Sequence, residues 1–295
     1  MKSEKGIESA PEIKEGEKRL DVIVDFIRHG ETTYKELKKE GRRPDPSASD
    51  FKFDEEHLDL TEEGIKGIKE TAEQLAKNID KENEAVFLIT SPSHRAYSSI
   101  LLIENAFQEK GISILNPANG IEYSPQLEEI RTKDQDWEKH LEITRKYHED
   151  PSNAGKSPDI YHAEIASILG KDFYDIFEEN YDQAEQRFQE FFRHVISPDE
   201  WLTAQQKKSL ENKKIRLVCL THGGVSSRFL RYFFEDTPEL QKGQILEIRP
   251  GSSLENRTIA THAILYGKKG SPQKETDVSI KFSLNELEKE ELRKK

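Results

Sequence analysis

Cysteine is almost missing: the 295 residues include one, Cys219. A single thiol closes no disulfide within the chain and builds no cysteine-based metal site. Its place inside the apolar run IRLVCLTH reads as a small buried hydrophobe. Long apolar runs are missing too, since no stretch approaches the roughly 18 residues of a membrane span. The opening MKSEKGIESAPEIKEGEKRL lacks the apolar segment of a secretory leader, so the expected location is cytoplasmic. Nor is there a basic excess. The 45 Lys and Arg stand against 57 Asp and Glu, a net charge of -12, which argues against nucleic acid and anionic membranes as partners. An anionic ligand would therefore need a local basic pocket. The chain also has no G-x-S-x-G elbow and no G-x-G-x-x-G turn. AGKS at Ala154 to Ser157 lacks the upstream glycine and the strand of a P-loop, and His140 and His148 lack a matching carboxylate. The expectation is no metal and no cofactor.

What remains is a charged surface around an ordinary core, with 34% apolar and 35% charged residues. Strand-like runs lie at Val22 to Ile27, Ala85 to Thr90, Ile112 to Leu115, Ile215 to Leu220, Ile245 to Ile248 and Ile259 to Leu265. Several are continuously apolar, as in parallel strands covered on both faces. Between them, Thr61 to Ile79 opens with TEEG and keeps Ile65, Ile68, Ala72, Leu75 and Ile79 on one helical face. Pro92 to Lys110 reads as a second helix, with Pro at an early position and a stop at Gly111. The fold class is α/β, with right-handed crossovers and a mostly parallel central sheet. From about 131 to 214 the rhythm breaks into a helical, Phe-rich insertion expected to pack beside the sheet. One catalytic domain over 20–284 is expected, between a disordered tail at 1–19 and a charged tail at 285–295.

Three strand exits share a feature. The first strand ends on Arg28-His29-Gly30, the second leads into SPSHRAYSS with Arg95 in the next helix, and the Cys219 strand ends on His222-Gly223-Gly224. Ligands of open parallel sheets bind at the carboxyl ends of the strands. Helix N-termini and glycines there accept an anion, and two guanidinium forks make a phosphate clamp. The pair His29 and His222 then suggests one attacker and one stabiliser of the equatorial oxygens, which is phosphohistidine chemistry.

These segments resemble the histidine phosphatase superfamily, which includes cofactor-dependent phosphoglycerate mutase. RHGET (Arg28 to Thr32) is similar to its signature, SPSHRA to its second arginine motif at Arg95, and LTHGG to its second histidine motif at His222. LEEIR (Leu127 to Arg131) resembles the segment that supplies the proton-donating acid, which falls on Glu129, with Glu128 as the neighbouring candidate. HLDLTEEG and ENYDQAEQRF also look like family segments, the latter keeping Glu179 and Arg187 at the expected separation. The likeness runs from about Val22 to Tyr266. It departs at Tyr34 and Lys35, where many relatives have Asn, and at RTKDQDW after LEEI.

The resemblance implies a three-layer α/β/α sandwich, His29 as nucleophile, Arg28, Arg95, His222 and Gly223 around the phosphate, and Glu129 as general acid. The expected activity is phosphomonoester hydrolysis through a phosphohistidine. Two other readings stay open: mutase-type return of the phosphoryl group to a second hydroxyl, and a non-catalytic phospholigand-binding module. The substrate would be a phosphorylated small molecule or a phosphopeptide. Its pocket is expected to draw on the insertion and on Lys35 to Phe53, where Arg42 and Arg43 lie. A sheet-edge strand and exposed aromatics of the insertion permit a homodimer.

Overall fold

The structure, a computed structural model, describes residues 21–33, 58–116, 121–133, 137–210, 213–255, 258–268 and 272–281. Both expected tails, and the loop with Tyr34, Lys35, Arg42 and Arg43, lie outside the described residues. Five of the six apolar runs are strands: β1 (Val22–Arg28), β2 (Glu84–Thr90), β4 (Lys214–Thr221), β5 (Ile245–Glu255) and β6 (Thr258–Leu265). Among the described residues there are two further strands, β3 (Glu122–Tyr123) and β7 (Lys274–Lys281). Ile112 to Leu115 is no strand; its backbone meets the sheet at a single bridge from Ile114 to Val86 among the described residues.

The seven strands form one sheet in the order β3-β2-β4-β1-β5-β6-β7. It is mixed, not mostly parallel as the apolar runs suggest. The half from β3 to β1 is parallel, whereas β5, β6 and β7 join antiparallel. Two residues separate β5 from β6, and a parallel crossover needs a dozen or more.

Side-chain alternation decides the layers. Val22, Val24 and Phe26 of β1, Ala85, Phe87 and Ile89 of β2, and Ile215, Leu217 and Cys219 of β4 share one core. Helices α6 (Tyr181–Val195) and α9 (Gly223–Arg231) cover it, bringing Phe188, Phe192 and Phe229 against Phe26. Val86, Leu88, Val218 and Leu220 face the other way, into a core closed by α1 (Glu62–Asn78) and α2 (His94–Glu109). The result is a three-layer α/β/α sandwich. The caps are those the residue types favour. Thr61 accepts from the Gly64 N–H and Ser93 from the Ala96 N–H, which leaves Pro92 just outside α2 rather than in its first turn.

The insertion comprises α3 (Trp137–Glu149), α4 (Pro158–Ile168), α5 (Phe173–Ile176), α6, α7 (Pro198–Trp201) and α8 (Ala204–Ser209). Its β-structure, among the described residues, is one bridge between Thr132 and Phe177. No described helix is long and apolar enough to cross a membrane.

Candidate active site

Register places the three strand exits side by side. Arg28 lies opposite Thr221, and Thr90 opposite Leu220. The ladder continues one residue beyond each strand, since the His29 N–H donates to the Thr221 carbonyl at 3.1 Å and the Ser91 N–H to the Leu220 carbonyl at 2.9 Å. His29, His222 and Ser91 therefore emerge at the same level.

Both imidazoles are buried, with ring centroids 4.9 Å apart. His29 Nδ1–H donates to its neighbour's carbonyl, Gly30 O, at 2.7 Å. That fixes the tautomer and leaves the Nε2 lone pair outward, where the Arg95 Nε–H meets it at 3.3 Å. Burial, then the Arg95 and Arg28 charges, hold the His29 pKa well below the usual histidine value. Burial and Arg95 do the same to His222. The second ring rests its Nε2 2.9 Å from Ser91 Oγ and 3.2 Å from Ser93 Oγ, while its buried Nδ1 has no hydrogen-bond partner among the described residues.

Arg28 is anchored from below. One guanidinium nitrogen donates to the Leu240 carbonyl at 2.7 Å and pairs with Glu239 at 3.0 Å. Gly223 leaves room for this pair, because a Cβ there would lie 2.3 Å from Glu239 Oε2 and 2.7 Å from Arg28 Cζ. Glu129 reaches the same helix start. Its carboxylate accepts from Ile130 N–H at 3.1 Å and Gly224 N–H at 3.4 Å, and burial raises its pKa against the opposing pull of Arg95. Glu128 goes elsewhere: its carboxylate pairs with Arg131 at 2.5 Å on the surface. Of the two neighbours, Glu129 is the one brought to the start of α9, within the field of Arg95 and Arg28. Beside Arg28 opens a cavity of about 1040 Å³, whose lining includes Gly30, Glu239 and Lys242 and, from α1, Glu62, Lys66 and Glu70.

The family profile of the histidine phosphatase superfamily (branch 1) matches residues 24–252, which contain every one of these groups. The chain belongs to that superfamily. No functionally curated protein matches it. Among solved structures, a phosphoglycerate mutase from Bacillus anthracis is 12% identical, with 79% of this chain and 89% of that one covered, at a TM-score of 0.44. A phosphoglycerate mutase from Plasmodium falciparum is 14% identical over 88% of this chain and 99% of that one, at 0.39. A protein histidine phosphatase, SixA, complexed with tungstate, is 13% identical over 77% and 86%, at 0.32.

In this superfamily member, sequence reasoning passes over several neighbours of the site. Ser91 and Ser93 sit inside the SPSHRA stretch, yet only the fold shows that they cradle His222. Glu239 lies in a polar loop and carries no sequence signal at all. His94, next to Arg95, is buried as well. Lys156 of the AGKS stretch pairs with Glu164. Among the described residues, no three His, Cys, Asp or Glu side chains gather as a metal ion requires.

Proposed function

We propose that the protein is a phosphomonoester hydrolase working through a phosphohistidine on His29. The observation that carries this reading is the state of the His29 ring. Its Nδ1–H is tied to Gly30 O at 2.7 Å and its Nε2 is unprotonated 3.3 Å from a guanidinium. A neutral imidazole with its lone pair beside a cation is a nucleophile waiting at an anion site.

In the first step Nε2 attacks phosphorus in line, forming the N–P bond as the ester P–O bond breaks. Arg28 and Arg95 neutralise the equatorial oxygens. A serine hydroxyl donating to His222 Nε2 puts that ring's proton on Nδ1, where it serves as a further donor to phosphate. Glu129, whose raised pKa favours the protonated acid, gives its proton to the departing oxygen. Water then attacks the phosphohistidine, its proton passing to the Glu129 carboxylate, and phosphate leaves. The organic half of the ester, a phosphorylated small molecule or a phosphopeptide, would occupy the cavity beside Arg28. Arg28, Lys66, Lys242 and Lys268 there face Glu31, Glu62, Glu63, Glu70 and Glu239, so the cavity suits a leaving group that is not strongly anionic.

A panel of phosphate esters, read by released phosphate, tests the reading. Wild type should hydrolyse at least some of them, and an alkaline quench should retain radiolabel on the protein. His29→Ala should lose the label and several orders of magnitude of turnover. Full activity in His29→Ala would reject the mechanism. Rapid interconversion of phosphoglycerates without net phosphate release would instead make the protein a mutase, and phosphate binding without turnover a binding module.

A further inference from the structure

Glu129 stands at the end of a short turn. Pro125–Leu127 form one turn of 3-10 helix between β3 and Glu128, and so short a helix leaves most of its carbonyls without helical partners. Each of the four carbonyls from 125 to 128 has a donor from another part of the chain. Arg187 Nη1 lies 3.2 Å from Pro125 O, 2.7 Å from Gln126 O and 2.9 Å from Glu128 O. The fourth, Leu127 O, accepts the Thr221 hydroxyl at 3.0 Å. Arg187 itself is aimed by Glu179, which accepts from its Nε at 3.3 Å and also from Nη2. This guanidinium belongs to α6, on the insertion. Its bonds run to the turn and to Glu179.

We infer that Arg187 is a positioning residue for the general acid: it clamps the 125–128 turn so that Glu129 points at the α9 start while Glu128 turns out to Arg131. The two N–H groups of Nη1 serve the Gln126 and Glu128 carbonyls, with the longer Pro125 contact sharing one of them, while Nε and Nη2 hold Glu179; a lysine has no second edge to be aimed by a carboxylate in this way. The inference rests on Glu129 acting as the acid. It makes the insertion part of the catalytic apparatus, because the strut comes from it.

The test compares two esters whose leaving groups differ in their need for a proton. Para-nitrophenolate departs unaided far better than phenolate. Loss of a well-placed acid therefore lowers kcat/KM for phenyl phosphate more than for para-nitrophenyl phosphate. Arg187→Met should widen the ratio between the two esters by about tenfold or more, out of the roughly 10²–10⁴-fold that such an acid supplies. Arg187→Lys and Glu179→Gln, milder changes should Arg187→Met fold poorly, should widen it less. In a Glu129→Gln background, Arg187→Met should add no further widening. A purely structural loss reduces the active fraction and cancels in the ratio. Equal losses on both esters in Arg187→Met, with Glu129→Gln still discriminating between them, would overturn the strut alone. Equal losses in Glu129→Gln would overturn the acid, and the strut with it.

Discussion

Gly224 shows how a single hydrogen atom shapes the site. A Cβ at this position would lie 2.3 Å from Glu129 Oε1, and the Gly224 N–H donates to the other carboxylate oxygen at 3.4 Å. The obstructed atom is the end of a flexible side chain, so Gly224→Ala should fold. Alanine in the first turn of α9 also suits a helix as well as glycine or better. The expected outcome is an unfolding midpoint within a few degrees of wild type and a kcat reduced by about 10–100-fold, since a misplaced acid forfeits part of its contribution. Unchanged turnover would mean that Glu129 does not work from this pocket. At the residue scale the sequence is eloquent about groups that follow strands directly. Arg28, His29, His222 and Gly223 lie at strand exits, where the fold class alone says a ligand should sit. It is silent about Glu239, whose partner Arg28 is 211 positions away and whose loop has no pattern. It is equally silent about the Ser91 and Ser93 hydroxyls, which matter only because β2 lies next to β4.

At the scale of elements, α6 ties the insertion to the sheet. Phe188 is fully buried, with ring centroids 4.7 Å from Phe26 and 5.1 Å from Phe229. Truncating a buried phenylalanine removes its transfer energy and leaves a cavity, so Phe188→Ala should cost about 3–5 kcal/mol in urea unfolding. A cost under about 1 kcal/mol would mean that the helix does not pack on β1. The Phe stripe at helical spacing makes α6 legible, as does the Thr61 cap of α1. Strand direction is not legible, because an apolar run covered on both faces looks the same whether its neighbour is parallel or antiparallel. The short gap between Ile248 and Ile259 holds the better signal. β7 escapes because KETDVSIK exposes every second residue and fully buries only Ile280. Ile112 and Ile114 mislead for the opposite reason: they are apolar because they lie under α2 and share its core, while β3 takes the end of β2 at Ile89 and Thr90.

Across the whole molecule, the end of the sheet remote from the histidines carries a buried charge cluster that joins four strands. Arg216 of β4 bonds Asp25 of β1 at 2.8 Å, Glu84 of β2 at 2.5 Å and Glu247 of β5 at 3.2 Å. Tyr266 adds its hydroxyl to Glu247 at 3.0 Å and Arg249 pairs with Glu247 from the rim. Three carboxylates around one central cation leave one of them poorly compensated, and it is Asp25. Burial, only partly opposed by Arg216, raises its pKa from 3.8 to about 6, whereas Glu247 is held low despite burial because Arg216 and Arg249 both face it. Between those two values for Asp25 the folded chain binds a proton that the unfolded chain has released. Stability from this group is therefore full below pH 3.8 and is lost as the pH climbs through about 6. Asp25→Asn keeps an oxygen for Arg216 and removes the titration. It should flatten the stability curve between pH 4 and 7 and raise the urea midpoint at pH 7.5 relative to wild type. Arg216→Met should do the reverse. With three buried carboxylates left without their central cation it should lose about 3–5 kcal/mol at neutral pH and recover part of that on acidification, as the carboxylates take up protons. Urea midpoints of the three proteins from pH 4 to 8 decide the matter. A less stable Asp25→Asn at pH 7.5 would mean that the Asp25 charge, and not merely its oxygen, holds the four strands together.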